Sequence, residues 1–364
     1  MRNRSIDTMR GILTIAMIYG HVLQFFGNAG VYPGMEGVIL VINLLCFPGF
    51  LFCFGRTITL AYLGKEWKAA LPRMIKTFFR LLAAFWLSGI GYRVLRENKP
   101  FGRGIVEPIL MLLDIPGWSE FLVTFALMMG LVILLFPLFR WIGKRSFAPF
   151  AASVLLTLSS LLPYDSIRSV HAQLLVGGRG FACFPVLQYL PYLLMGMSYQ
   201  QASRKQHALL AIPAACVSLT GILHAAAQGI PERFPPHMAW LAIPWAGIAL
   251  ILLLSQGIHQ IPGIPWRGGC CHPWTTCLGA IGGKSLYLLL GSNLVLFTFS
   301  GKGLLPLLSP KAGWPWNLPI QSLWGSISWT ALLLLVLMGT AWMAGRGTSA
   351  GKRDITPGNS QPAP

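Results

Sequence analysis

The chain has 364 residues, of which 54% are hydrophobic and only 10% are charged, and its formal net charge is +18. Soluble domains carry about 25% charged residues, so this composition excludes a soluble fold and makes a lipid bilayer the solvent for most of the chain. The excess Lys and Arg residues lie between apolar runs, where they orient membrane spans and contact anionic lipid headgroups, so nucleic acid is not expected as a partner.

Ten apolar segments follow one another along the chain, each close to the roughly 20 residues that cross a bilayer. These predicted spans are 11–27, 36–55, 77–94, 120–139, 147–163, 182–199, 207–226, 238–256, 277–299 and 322–344. Arg80 interrupts the third span, and the apolar stretch 105–116 is too short to cross, so we expect that stretch to be interfacial or re-entrant. The sequence therefore predicts an all-α fold, a polytopic transmembrane helix bundle.

The distribution of Lys and Arg residues predicts the orientation of this bundle. With the N-terminus in the cytosol, the cytosolic segments hold about twice as many Lys and Arg residues as the opposite side, as the positive-inside rule requires. An even number of spans then returns the C-terminus to the cytosol. Residues 1–345 are predicted to form the transmembrane domain of a plasma or inner membrane protein, and the Gly-, Ser- and Pro-rich tail 346–364 is predicted to be disordered.

The first span carries two ionisable residues on one face. Arg10 and His21 are eleven residues apart, which places them about 20° apart around the helix axis and about 16 Å apart along it. Asp7 precedes Arg10 by one turn, near the helix N-terminus, where a carboxylate is favourable. A His in this place can take up and release a proton, and an Arg can hold a phosphate by two parallel hydrogen bonds. The alternative is that Arg10 is a topology anchor and His21 is a buried, hydrogen-bonded contact between helices, and the spacing alone favours neither interpretation.

Two other groups of residues have competing interpretations. Cys270, Cys271, His272 and Cys277 share one loop, but adjacent cysteines do not match the usual paired spacing of zinc ligands, so no metal is expected. Trp118 and Glu120 open the fourth predicted span. The sequence favours an interfacial Trp anchor beside a solvated acid, and the alternative is that Glu120 orients His21 or a sugar hydroxyl.

The succession of Asp7, Arg10-Gly11 and His21 resembles the acyltransferase-3 family of integral membrane acyltransferases and the related heparan-alpha-glucosaminide acetyltransferase-like and glucan-succinylating membrane proteins. Further stretches agree with the family in the same order, namely Phe47–Tyr62, Pro72–Trp86, Leu187–Met197, Arg233–Leu254 and Leu278–Phe297. Two positions depart from its pattern. The late span has Gly291 and Ser292 where the family usually has a His, and the second span ends in Phe54-Gly55 where the family usually has Ser-Gly.

The resemblance implies a ten-helix bundle that moves an acyl group, with acetyl favoured, from a cytosolic acyl-CoA to a carbohydrate or cell-envelope polysaccharide at the outer face. It makes His21 the candidate catalytic base or acyl relay and Arg10 a support for the donor, and Asp7 completes the candidate catalytic set. It also implies that Arg73 and Arg80 hold the phosphates of the acetyl-CoA donor. Separately, Lys284 and Tyr287 are three residues apart on a predicted helix and can face one cavity, which makes Lys284 a further candidate donor contact.

Two alternatives to the enzyme remain open at this point. The same Arg and His would also serve a transporter or flippase of a lipid-linked sugar or small solute. The second alternative is a non-catalytic relative that assists polysaccharide export, because the His that the family usually has in the late span is missing. The sequence indicates no oligomeric state.

Overall fold

The computed structural model of the chain describes residues 4–144, 148–179, 181–201, 204–259, 273–300 and 322–350. Within these ranges the backbone forms fifteen α-helices and no strand, which confirms the predicted all-α fold. The helices are α1 Arg4–Phe26, α2 Met35–Ile58, α3 Trp67–Gly91, α4 Arg103–Leu110, α5 Glu120–Leu134, α6 Phe136–Gly143, α7 Ala148–Thr157, α8 Val170–Val176, α9 Val186–Gln201, α10 Arg204–Gln228, α11 Met238–Ala242, α12 Pro244–Ile258, α13 Pro273–Gly283, α14 Ser285–Ser300 and α15 Leu323–Ala350.

Six of the described helical segments are long and apolar enough to cross a membrane: Arg4–Phe26, Met35–Leu63, Trp67–Arg96, Ala211–Gln228, Met238–Ile258 and Leu323–Met343. Two bent pairs raise the number to eight if each pair is one span. Helices α5 and α6 meet at 90°, and the residues from Thr276 in α13 meet α14 at 72°. The chain is thus a multi-pass membrane protein with six to eight candidate spans in its described part. The predicted ten would also need spans at 147–163 and 182–199, where α7 and α9 lie, and stays a prediction.

Two sequence boundaries differ from the structure. The third predicted span, 77–94, starts ten residues late, because α3 already begins at Trp67. Lys and Arg are good helix formers, and Arg73 and Arg80 project to the exposed side of α3, so their charges interrupt the apolar pattern without ending the helix. In the apolar stretch 105–116, the eight-residue helix α4 packs against α3. The predicted disordered tail lies mostly in 351–364, outside the described residues, and remains a prediction.

Helix α1 is surrounded by α2, α12, α13, α14 and α15. Its closest approach is to α13, where the backbone leaves no room for a Cβ atom at two glycines. Gly11 of α1 faces the carbonyl oxygen of Leu278, and Gly282 of α13 faces the carbonyl oxygen of Asp7. Small residues permit such backbone contacts between helices in membranes. The contact fixes the position of Lys284, which follows directly at the bend between α13 and α14.

Ion pairs hold the connection between α3 and α5 in place. The guanidinium of Arg93 pairs with Asp114 and with Glu97, each at 2.6 Å, and Lys99 pairs with Glu97 at 2.9 Å. Burial raises the pKa of the Glu97 carboxyl, but hydrogen bonds from Arg93 and Lys99 outweigh that effect and leave the pKa below its usual value. The segment that leads to Trp118 is therefore tied to the end of α3.

Candidate active site

His21 is buried in α1 and is held by a side chain of α14. Its Nδ1 lies 2.8 Å from Oδ1 of Asn293, and Nδ2 of Asn293 donates to the carbonyl oxygen of Trp118 at 3.1 Å. Because a carbonyl oxygen can only accept, the second bond turns Oδ1 of Asn293 toward the imidazole. Nδ1 of His21 then carries the proton, and Nε2 is left as an acceptor, which is the form that a general base needs.

Trp118 is held in an unusual backbone conformation beside this pair. Its φ angle is 60°, in the left-handed region that bulky residues rarely adopt. Its indole N–H donates to Oε1 of Gln24 at 2.9 Å, and its ring packs on Phe25 with centroids 4.7 Å apart. Strained residues of this kind persist where the surroundings over-determine them, often at functional sites. Here the strain presents the Trp118 carbonyl oxygen to Asn293.

A cavity of about 210 Å³ opens beside His21, and we call it the His21 cavity. Its polar wall includes Gln24 of α1 and Asn43 of α2, which hydrogen-bond to each other at 3.3 Å. Its apolar wall includes Phe47 and Phe184, whose rings lie 4.0 Å apart. Aromatic and aliphatic walls with a few placed polar groups are typical of small-molecule sites.

Two opposite charges line the same cavity. Oε2 of Glu120 is buried and has no hydrogen-bond partner among the described residues, and the same holds for Nε of Arg233. The guanidinium of Arg233 lies over the rings of Phe184 and Phe234, 5.0 and 4.7 Å from their centroids. Buried polar atoms are normally satisfied, so these two fit a polar ligand. The sequence interpretation of Glu120 as a solvated acid is wrong for this oxygen.

Three of the predicted donor-binding cations meet in a second cavity. Arg10 of α1, Arg80 of α3 and Lys284 line a cavity of about 540 Å³, which we call the basic cavity. Tyr287 lines it as well, three residues after Lys284. Described acidic residues do not contribute to its wall. Three cations around one opening attract a ligand with several phosphate charges.

A third cavity, the middle cavity, lies between the other two. It has a volume of about 250 Å³ and shares Arg10, Arg80, Ser285 and Leu286 with the basic cavity. Arg10 is held there by a hydrogen bond from Nη2 to Oγ1 of Thr57. On its other side the middle cavity shares Phe121 with the His21 cavity. Cavities with common walls thus follow one another from the cations to the imidazole.

A family model described as an acyltransferase domain matches residues 3–346, essentially the whole chain. The chain belongs to the acyltransferase-3 family. It is therefore a membrane acyltransferase, as the resemblance of its motifs predicts. No curated protein and no solved structure matches the chain significantly.

Two of the site residues that the resemblance to the acyltransferase-3 family indicates lie away from the three cavities. Asp7 is buried, with its backbone packed against Gly282 of α13, and it lines none of them. Arg73 is exposed on α3 and lines none of them either, although it lies on the same face as Arg80, two turns earlier. The roles of both residues stay predictions.

The described part of the chain holds no group of three or more His, Cys, Asp and Glu residues placed to bind a metal ion. Of this cysteine group only Cys277 is described; it is exposed and lies in helix α13, not in the loop that the sequence predicts. Cys270, Cys271 and His272 lie outside the described residues.

Sequence reasoning missed Asn293 and Arg233. The family comparison directs attention to Gly291 and Ser292, where the late His is missing, but the residue that reaches His21 is the next one. Ser292 instead donates to the carbonyl oxygen of its own helix at Leu289, 3.0 Å away. A polar Asn within an apolar segment is a usable signal, because such residues usually face the bundle interior. The sequence indicates only that Arg233 is a cation in a loop between two predicted spans, and no pattern in it predicts that Arg233 lies beside Glu120.

Proposed function

We propose that this acyltransferase moves an acyl group, acetyl in the first instance, from a cytosolic acyl-CoA to a hydroxyl of a carbohydrate or cell-envelope polysaccharide at the outer face. In this proposal ten spans cross the plasma or inner membrane and both termini lie in the cytosol. The observation that carries the proposal is the row of three cavities, with cations at one end and His21 at the other.

The acyl-CoA donor binds to the cations of the basic cavity. Arg10, Arg80 and Lys284 bind the phosphates of the acyl-CoA in the basic cavity, and the acyl arm extends through the middle cavity. Arg73, on the same face of α3 as Arg80, is an outlying phosphate contact. Asp7 precedes Arg10 by one turn of α1 and positions it, since side chains three apart are neighbours on a helix.

The chemistry takes place in the His21 cavity. Nε2 of His21 removes the proton of an acceptor hydroxyl, whose oxygen attacks the thioester carbonyl. The new C–O ester bond forms as the C–S bond breaks, and the coenzyme thiolate leaves and takes up the proton. Oδ1 of Asn293 stabilises the imidazolium that exists between these steps, because it accepts the Nδ1 hydrogen bond.

The acceptor binds where polar groups lack partners. Oε2 of Glu120 accepts a hydrogen bond from a second hydroxyl of the acceptor, and Nε of Arg233 donates one. Aromatic rings such as Trp118 offer apolar faces to a sugar ring. Carboxylate, guanidinium, amide and aromatic groups together suit a ligand with several hydroxyls better than a simple alcohol.

Mass spectrometry of cell-envelope and exported glycans, with and without the gene, tests the proposal. We expect an acyl mass to disappear with the gene and to return with the wild-type chain but not with His21→Ala. Membrane vesicles given acetyl-CoA labelled in the acyl group should transfer the label to glycan. Solute transport in vesicles without any acyl donor, together with unchanged glycans, would instead identify a transporter.

A further inference from the structure

Phe121 stands between the middle cavity and the His21 cavity. It is the second residue of α5, its side chain is 3% exposed, and it is the only residue that lines both cavities in the described part of the chain. Its two sequence neighbours lie on opposite sides of it: Glu120 lines only the His21 cavity, and Leu122 lines only the middle cavity. Phe121 therefore forms the wall that an arm reaching His21 from the cations has to pass.

The surroundings of this wall are aromatic. Phe47 lines the His21 cavity and Phe125 lines the middle cavity, and their rings meet edge to face at 5.7 Å. Phe54 lines the middle cavity and packs on Phe125 at 5.2 Å. Edge-to-face contacts fix these rings against one another, whereas no aromatic contact of this kind holds Phe121 among the described residues. Turning Phe121 aside therefore breaks none of these ring contacts.

We propose that Phe121 is the gate residue that the acyl arm of the donor passes to reach His21, and that its bulk determines how wide an acyl group the enzyme accepts. This inference rests on the proposed function. A linear acetyl group passes when the ring turns aside, but a branched acyl group needs a wider opening. A larger side chain blocks the passage without changing the cations that bind the donor phosphates.

Acyl transfer from acetyl-CoA and from isobutyryl-CoA, measured in membranes that contain the endogenous acceptor, tests the gate. We expect Phe121→Ala to raise the isobutyryl-to-acetyl rate ratio at least about tenfold, which corresponds to about 1.4 kcal/mol. Phe121→Trp should lower acetyl transfer at least about tenfold while labelled coenzyme A still binds. Val123→Ala is the matched control, because Val123 lies two residues further along α5, is also buried and lines none of the three cavities, and its ratio should stay within about twofold.

A second measurement does not depend on acyl transfer. Cys46 lines the His21 cavity, whereas Cys53, seven residues later on α2 and fully buried, lines none of the three cavities. With a charged, membrane-impermeant maleimide added to everted vesicles, peptide mass spectrometry should show that Phe121→Ala accelerates labelling of Cys46 at least about tenfold, with Cys53 as the internal control. Val123→Ala should leave both rates unchanged.

The outcomes separate the two proposals. If the wild type transfers acetyl groups but neither the rate ratio nor the Cys46 labelling responds to Phe121→Ala, the gate is overturned and the proposed function stands. If Cys46 labelling responds but the wild type transfers no acyl group, the proposed function fails and the acyl gate fails with it, although Phe121 still closes the passage between the two cavities. Equal effects of Phe121→Ala and Val123→Ala would also overturn the gate.

Discussion

The His21 cavity and the basic cavity hold their polar side chains in opposite ways. Around His21, each hydrogen bond fixes the next group, from the imidazole to Asn293, then to the carbonyl oxygen of Trp118, and from the Trp118 indole to Gln24. In the basic cavity, Arg80 is exposed and Lys284 half-buried at a helix bend. The His21 cavity thus fixes the orientation of its polar side chains, whereas the basic cavity brings positive charges together without fixing them.

This difference follows from what each region has to do in the proposed reaction. Proton transfer needs an acceptor atom in one position, so the polar groups around His21 are held by hydrogen bonds to one another. Phosphate binding needs charge more than fixed geometry, and long exposed cations supply it through the surrounding water. Substitutions at the two ends should therefore change different kinetic constants, and four predictions use this contrast.

The largest effect is expected at His21. His21→Gln keeps a polar side chain beside Asn293 but cannot shuttle a proton, so acyl transfer should fall about 10²- to 10⁴-fold in kcat. His21→Ala should fall by at least as much. The thermal unfolding midpoint of each detergent-purified variant serves as the control for folding. Wild-type activity in His21→Gln would remove the imidazole from the mechanism.

Asn293 should come next, because it acts through His21. Asn293→Ala removes the acceptor for the Nδ1 hydrogen and frees the ring to turn, so we expect kcat to fall roughly 10- to 100-fold with the donor KM within about twofold. Asn293→Asp keeps that acceptor and loses only the bond to Trp118, so it should retain more activity than Asn293→Ala. If both variants lose the same amount, or if only KM changes, Asn293 does not position the base.

These two residues also show where sequence reasoning succeeds. Apolar length and helical spacing place Arg10 and His21 on one helix and one face, because both depend on local repeats of the chain. Nothing local links His21 to Asn293, which is 272 residues away, since helix packing decides that contact. The burial of Glu120 is missed for the same reason, as a Trp beside an acid at a span end is typical of an interface.

The cations of the basic cavity should affect binding instead of turnover. Arg80→Gln and Lys284→Gln each remove one charge that faces the donor, so the KM for acyl-CoA should rise about tenfold, with kcat nearly unchanged. Added salt should raise the wild-type KM and affect the double variant less, because exposed charges are screened. A fall in kcat at constant KM would mean that these residues belong with the His21 cavity.

The smallest effect is expected at Arg73, and it determines how far the basic cavity extends. Arg73 shares the face of Arg80 but lies two turns of α3 away, roughly 10 Å, and its side chain is exposed. We expect Arg73→Gln to raise the donor KM by no more than about threefold, in line with the small effect of isolated surface charges. Lys68→Gln, an exposed cation about 140° from Arg73 around the axis of α3, is the matched control. A KM increase as large as that of Arg80→Gln would mean that the donor site extends along α3 to Arg73, whereas equal KM values for Arg73→Gln and Lys68→Gln would mean that the site ends at Arg80.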